Sequence, residues 1–379
     1  MRLKLKDTPE QNALIQALGS KNMAISSEAQ EAFAKFMGPV IQILLQKAGT
    51  ASQIYTDAPY NADTDNPSYP LDLYYDQGVG FINVWSQAAA GGLPTSEIWG
   101  LQEMKISTYR LDSSVSFNKR YARKCRLDVV AKGVERLAQE VLVRQEINAW
   151  AVILKATAEA NSPYSTQTNS KHIIGSATSG VFTFGDLNNL FTLVRRINSA
   201  FDGGTPVQPY SEGPTDIYTS PEIMQQIRAM SYNPLFYSAS AWTSTTWNTQ
   251  TQLPNDVRQQ LWNNPGTANF YGTNFIQLNE FGVSKSYNTI FDSFATNQNV
   301  PGPAASSWSA TAQQVLVAID NRRGAFIRPV ARDSDTGSTF TAEVDDQFNL
   351  KRVDKAGFYG SLEEGRVCID ARAIGAITV

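Results

Sequence analysis

The 379-residue sequence carries one histidine, His172, and two cysteines, Cys125 and Cys368. Ser-His-Asp catalysis would depend wholly on His172, which lies in a polar stretch beside Ile173 and Ile174. There is no second histidine for a zinc triad, and too few thiols for a four-cysteine site. One disulfide is arithmetically available, but not a disulfide scaffold. No Gly-x-Ser-x-Gly elbow and no Gly-x-x-x-x-Gly-Lys-Ser phosphate loop occurs. Acids gather at Asp333-Ser334-Asp335 and Glu343-Val344-Asp345-Asp346, a set of oxygens that a hard cation such as calcium accepts. Gly337 stands where the third ligand of an EF-hand should be, so the spacing reads as a solvated acidic loop. No pattern selects two carboxylates for glycosidase chemistry. The sequence therefore predicts no enzyme, no metal and no cofactor.

The pronounced charge feature is basic. Lys105, Arg110, Lys119, Arg120, Arg123, Lys124 and Arg126 fall close together with Asp112 as the lone acid among them. A solvated strand-to-helix junction would look this way. Docking on an acidic surface of a neighbouring subunit, or facing nucleic acid, is the reading preferred here. These residues sit where a ribbon with little support of its own meets a long helix.

The elements that position them follow from spacing. Thr8-Pro9-Glu10-Gln11 and Ser27-Glu28-Ala29-Gln30 are helix starts with cap and capping-box residues. Phe33, Phe36, Met37, Val40, Ile41 and Leu44 then follow at helical spacing, with Gly38-Pro39 expected to kink or divide the helix. From Thr50 to about Tyr69 the chain is polar and turn-rich, as an extended arm or a surface loop would be. Residues 71 to 88 read as extended, up to the break at Ala88-Ala89-Ala90-Gly91-Gly92. Met104 to Asn118 reads as a two-stranded projection turning near Leu111-Asp112-Ser113-Ser114.

Leu127 to Ala160 gives the clearest pattern, with Val130, Val134, Leu137, Val141, Ile147, Trp150 and Leu154 at three- and four-residue steps. Asp128 stands near its start and Asn161-Ser162-Pro163 stops it. A helix of about 30 residues is roughly 45 Å long, a strut. Phe184 to Ala200 forms a second helix, Asp216 to Thr219 a buried strand running into another helix, and Gln314 to Ile319 a core strand. Strand-like residues close the chain at Val379. No internal repeat is read.

The hydrophobic fraction of 42% is that of a folded chain, and 379 residues suggest two or three packed units. Charged residues make up only 18%, leaving an Asn-, Gln-, Ser- and Thr-rich surface suited to broad contacts. The formal net charge of −3 lacks the basic surplus of a protein that grips phosphates, so any contact with DNA is as a near-neutral wall. No export signal and no membrane span is read, and synthesis in a reducing cytoplasm is expected.

In its order of elements the chain resembles the major capsid proteins of tailed phages, with the Hong Kong 97-type capsid fold, an α+β fold. Encapsulins, the shells of cellular compartments, share it. The phrases that carry the resemblance most closely are Asp216-Ile217-Tyr218-Thr219-Ser220-Pro221-Glu222 and Lys355-Ala356-Gly357-Phe358-Tyr359-Gly360. The resemblance implies an N-terminal arm over residues 1–70 and an extended two-stranded E-loop region over 71–124. It also implies a peripheral domain over 125–221 with a spine helix at 127–160, and an axial domain over 222–345. Residues 346–379 would be C-terminal strands returning to the peripheral domain.

The function implied is self-assembly, as hexamers and pentamers, into the icosahedral shell around double-stranded DNA in the virion. The basic junction would lie between subunits. Implied partners are further copies, a portal and a scaffolding protein, with a cement protein left open, non-specific DNA contact at the inner face and no membrane. An encapsulin-type compartment is the alternative, and a polar-surfaced hydrolase a more remote one.

Overall fold

A computed structural model describes residues 8–47, 49–61, 67–70, 103–123, 127–162, 165, 167, 170–201, 213–232, 256, 259, 263, 267–332, 337–344 and 355–379. In chain order its first elements are α1 (Pro9–Leu18), α2 (Met23–Lys47), β1 (Thr56–Asn61), β2 (Ser68–Pro70), β3 (Glu103–Lys105) and β4 (Tyr109–Asn118). Then come α3 (Lys119–Arg123), α4 (Leu127–Glu159), β5 (Ile173–Gly175), α5 (Phe184–Phe201), β6 (Asp216–Thr219) and α6 (Pro221–Tyr232). β7 (Thr267–Phe270), β8 (Thr273–Gln277), α7 (Ser286–Ala295), β9 (Val315–Ile319) and β10 (Phe326–Arg332) follow. β11 (Thr341–Val344), β12 (Lys355–Glu364), β13 (Val367–Cys368) and β14 (Ile374–Thr378) complete an α+β fold. The chain divides into two compact units, each drawn from separated stretches of sequence.

The first unit comprises Met1–Tyr69, Met104–Ala149 and Phe326–Val367. Its sheet is organised by β12, which lies antiparallel to β4 along all ten residues, from Lys355 opposite Asn118 to Glu364 opposite Tyr109. β11 pairs antiparallel with β12, Val330 of β10 faces Glu364, and β1 runs parallel to β10. Helices α1, α2 and the first part of α4 bring Leu18, Phe33, Ile41 and Val141 into one core with Phe340, just before β11, and Phe358 of β12. Phe358 is sandwiched, its ring centroid 5.1 Å from Phe33 and 5.9 Å from Phe117. The core explains why α2 runs unbroken through Gly38-Pro39, where a kink or division was expected. Phe33 and Ile41, on either side of the proline, are buried in the same core, and their burial offsets the helix bond that proline removes.

Two further expectations change here. Residues 109–118 form one continuous strand with no turn at Leu111 to Ser114, so the projection placed at 104–118 is corrected. Asp112 and Ser114 occupy exposed positions of an alternating strand whose Leu111, Val115 and Phe117 pack toward the core, and this period of two outweighs the turn-like composition. Residues 50–69, read as an arm or loop, contain β1, which pairs with β10 of its own chain. The sequence positions 71–102, within the E-loop region, lie outside the described residues.

The second unit comprises Pro70–Glu103, Trp150–Ala325 and Cys368–Val379. Its six-stranded sheet has the order β5-β14-β9-β6-β8-β7, with β14 parallel to β5 and antiparallel to β9. β6 lies between β9 and β8, so residues on both sides of the 221/222 boundary meet in one sheet. Helices α5 and α6 pack on it through Leu187, Leu190, Val194, Ile223 and Ile227, all buried. Trp150, wholly buried, meets Tyr218 at 4.9 Å and both Phe281 and Tyr287 at 5.4 Å between ring centroids. α4 spans Leu127 to Glu159, one residue short of the expected end.

Candidate assembly surface

The described basic residues singled out from sequence stand before β4, near its start and just after its end. Lys105 is exposed in β3. Arg110 is exposed near the start of β4, where its Nε donates to Asp112 Oδ1 at 2.8 Å. Its Nη2 donates to the Tyr359 hydroxyl at 2.8 Å, and the guanidinium lies 5.8 Å from that ring centroid. Lys119 opens α3 at the other end of the strand, its Nζ donating to Ser26 Oγ at 3.2 Å, which ties α3 to α2. The exposed Arg120 follows, its backbone N–H donating to Asn118 Oδ1 at 2.9 Å. Arg123 closes α3, and Lys124 and Arg126 lie outside the described residues. Nine strand steps separate Arg110 from Lys119, about 30 Å, so these side chains line a rim instead of forming one cluster.

Among the described residues β4 is an edge strand, pairing with β12 alone, and Arg110, Asp112, Ser114 and Ser116 project from its exposed face. Charge at an edge of this kind blunts indiscriminate strand pairing. At its start, the Ile106 N–H donates to the Pro67 carbonyl at 3.0 Å, and β2 pairs with β3. Pro67 and Ile106, on either side of residues 71–102 in sequence, are thus bonded to each other.

Sequence reasoning missed a polar network behind this surface. Glu364 at the end of β12 is fully buried and takes Arg328 Nε at 2.7 Å, Arg366 Nη2 at 3.2 Å, the Tyr109 hydroxyl at 2.7 Å and Gln145 Nε2 at 3.0 Å. Burial pushes its carboxyl up, but the Arg366 and Arg328 guanidiniums and the Tyr109 hydroxyl overcome this and hold it below the ordinary carboxylate range. Burial, then the Glu364 charge, pushes Tyr109 up to about 12. Arg366 also covers the Tyr55 ring at 4.7 Å. Beside it, Glu363 accepts from the Tyr60 and Thr108 hydroxyls at 2.9 and 2.8 Å. The network joins β1, β4, α4, β10 and β12, closed from solvent at Glu364, and so braces the sheet. Glu363-Glu364-Gly365-Arg366 was its available signal, charge of both signs at the end of an apolar strand.

In the second unit, His172 is buried with Nδ1 on two backbone carbonyls, a structural setting. Desolvation pushes the free Cys368 thiol up to about 12, far from a reactive thiolate. The described residues bring together no group of three His, Cys, Asp or Glu that could hold a metal. No helix among them is long and apolar enough to cross a membrane.

No family model and no curated protein sequence matches the chain. Among solved structures it is similar to the capsid of cyanophage P-SCSP1u, at 12% identity and TM-score 0.48, covering 87% of this chain and 88% of that one. The capsid of an empty GTA particle matches at 13% identity and TM-score 0.47, covering 87% and 89%. The similarity is to shells. A holo-SrpI encapsulin complex from Synechococcus elongatus also matches, at 13% identity and TM-score 0.39, covering 89% and 86%.

Proposed function

We propose that this chain is a major capsid protein: a non-enzymatic subunit whose copies assemble, as hexamers and pentamers, into an icosahedral virion shell around double-stranded DNA. The observation that carries the reading is the junction at Pro67 and Ile106. Its two ends are bonded to each other next to the ten-residue β4, and the 33-residue α4 follows α3 in sequence. In the tailed-phage resemblance the segment between these ends belongs to the E-loop region, through which a subunit engages its neighbours. The tailed-phage resemblance of the element order assigns those neighbours as copies of the same chain. Heterologous contacts that close into rings, repeated over a lattice, then build a shell from one gene product.

Lys105, Arg110, Lys119 and Arg120 line the rim that meets the next subunit, and Arg123, Lys124 and Arg126 extend it. Assembly takes place in the host cytoplasm with a portal and a scaffolding protein. DNA meets the inner face only through non-specific contact, since the net charge of −3 leaves no basic surplus to grip phosphates.

The test is excision of residues 71–102 and their replacement by a short Gly-Ser linker. The bonded ends leave the first unit folded, with a native circular dichroism spectrum, and closed particles no longer form under the electron microscope. A variant that still closes particles shows that residues 71–102 do not engage the neighbours, and a full chain that forms no particles overturns the capsid reading. Particles that enclose an enzyme and no DNA would make the shell a cellular compartment of the encapsulin type.

A further inference from the structure

His172, the chain's only histidine, is 2% exposed and stands directly before β5. Its Nδ1 lies 3.1 Å from the Ala371 carbonyl oxygen and 3.2 Å from that of Ile374. Both are acceptors, so Nδ1 carries the ring proton and Nε2 is left as a bare lone pair. That Nε2 is buried and has no hydrogen-bond partner. The backbone of the same residue also holds the C-terminal segment, for its carbonyl accepts the Ala376 N–H at 3.0 Å. One residue thus fastens the turn at 371–373 and β14 with ring and backbone together.

The charged groups around the ring are already engaged. Asp370 favours a positive ring, but its carboxylate takes Arg372 Nε at 2.9 Å, Nη2 at 2.9 Å and backbone N–H at 2.9 Å, and Arg323 lies 3.8 Å away. Lys171, buried beside the ring, opposes a second positive charge, and its Nζ donates to the Ala158 carbonyl at 2.8 Å and Gln298 Oε1 at 3.0 Å. A proton added at Nε2 would therefore create a buried cation with an unanswered N–H.

We propose that His172 is an acid-sensitive latch on the C-terminal segment, whose protonation releases β14 from β5 and β9. Burial, followed by Lys171, pushes the ring below its ordinary value of 6.5 against the pull of the two carbonyls and Asp370. A group whose folded pKa is depressed binds its proton more readily when released. The latch is closed above pH 6.5 and weakens as the pH falls below it. Release leaves the edges of β5 and β9 unpaired. The inference stands apart from the shell reading, because every contact in it lies within one chain.

Hydrogen exchange at the Ala376 amide, corrected for the intrinsic pH dependence, tests it on the full chain. In the wild type the opening constant rises by up to about 30-fold between pH 7.5 and 5, the limit set by a released pKa of 6.5. His172→Asn keeps an N–H donor near the Nδ1 position and cannot titrate, so its opening stays flat over the same range. An equal rise in both proteins, or a flat wild type, overturns the proposal. If the variant does not fold, the single histidine ring signal of the labelled wild type decides. A midpoint below 6.5 supports the latch, and one at or above 6.5 contradicts it.

Discussion

Arg328 Nε and Glu364 Oε2 lie 2.7 Å apart, with Glu364 completely removed from solvent and Arg328 nearly so. The pair joins β10 to β12, and Arg366, Tyr109 and Gln145 complete the coordination of the carboxylate. Glu364→Gln leaves two guanidiniums facing a neutral amide, one of them buried at Arg366. The expected loss is on the order of 3–5 kcal/mol, read as a lowered denaturant midpoint of the first unit.

The same pair sets an acid limit. Glu364 is held below its ordinary 4.5, so the unfolded chain takes up the proton first. Its contribution is fully present above pH 4.5 and is lost as the pH falls through the lower folded value. Stability of the wild type therefore drops more steeply below pH 4.5 than that of Glu364→Gln, in denaturant titrations at stepped pH.

Trp150 packs against Tyr218, Phe281 and Tyr287 with no exposed surface. Trp150→Ala opens a cavity in the second unit and costs about 3–5 kcal/mol. Loss of the near-ultraviolet circular dichroism signal at a lower temperature than in the wild type measures it.

Gly360 lies on β12 where a Cβ would run into the Phe340 ring. Gly360→Ala overpacks the first unit and destabilises it by about 1–3 kcal/mol. Combining it with Phe340→Leu relieves the clash, so the double variant is more stable than the sum of the single losses. Additive losses would show that Phe340 is not what the glycine accommodates.

Legibility in the sequence followed how local each determinant is. The span of α4 was readable because Asp128, the apolar period and Asn161-Ser162-Pro163 agree. β4 was misread because Asp112-Ser113-Ser114 has the composition of a turn, whereas its partner β12 lies more than two hundred residues away and keeps the strand straight. The Glu364 network showed in the sequence only as the mixed charge of Glu363-Glu364-Gly365-Arg366, because Tyr109, Gln145 and Arg328 come from three other separated stretches. A small recurrence also passed unnoticed. Ile319-Asp320-Asn321-Arg322 and Ile369-Asp370-Ala371-Arg372 build the same turn, each aspartate accepting the N–H two residues on and the arginine Nε at 2.9 Å. The two turns interlock through the Asp320 N–H on Ala373 and the Ile369 N–H on Ala325, both at 2.8 Å. The basic rim was legible as charge, but its division between the two ends of β4 needed the register of the sheet.

The proposed shell assembly is tested most directly by sedimentation and electron microscopy of the purified full-length chain, alone and with a candidate scaffolding protein. The account predicts closed icosahedral particles many times the mass of the 41.7 kDa subunit, sedimenting as one fast species. A folded chain that stays a 41.7 kDa monomer at every concentration, with and without the candidate scaffolding protein, would contradict it.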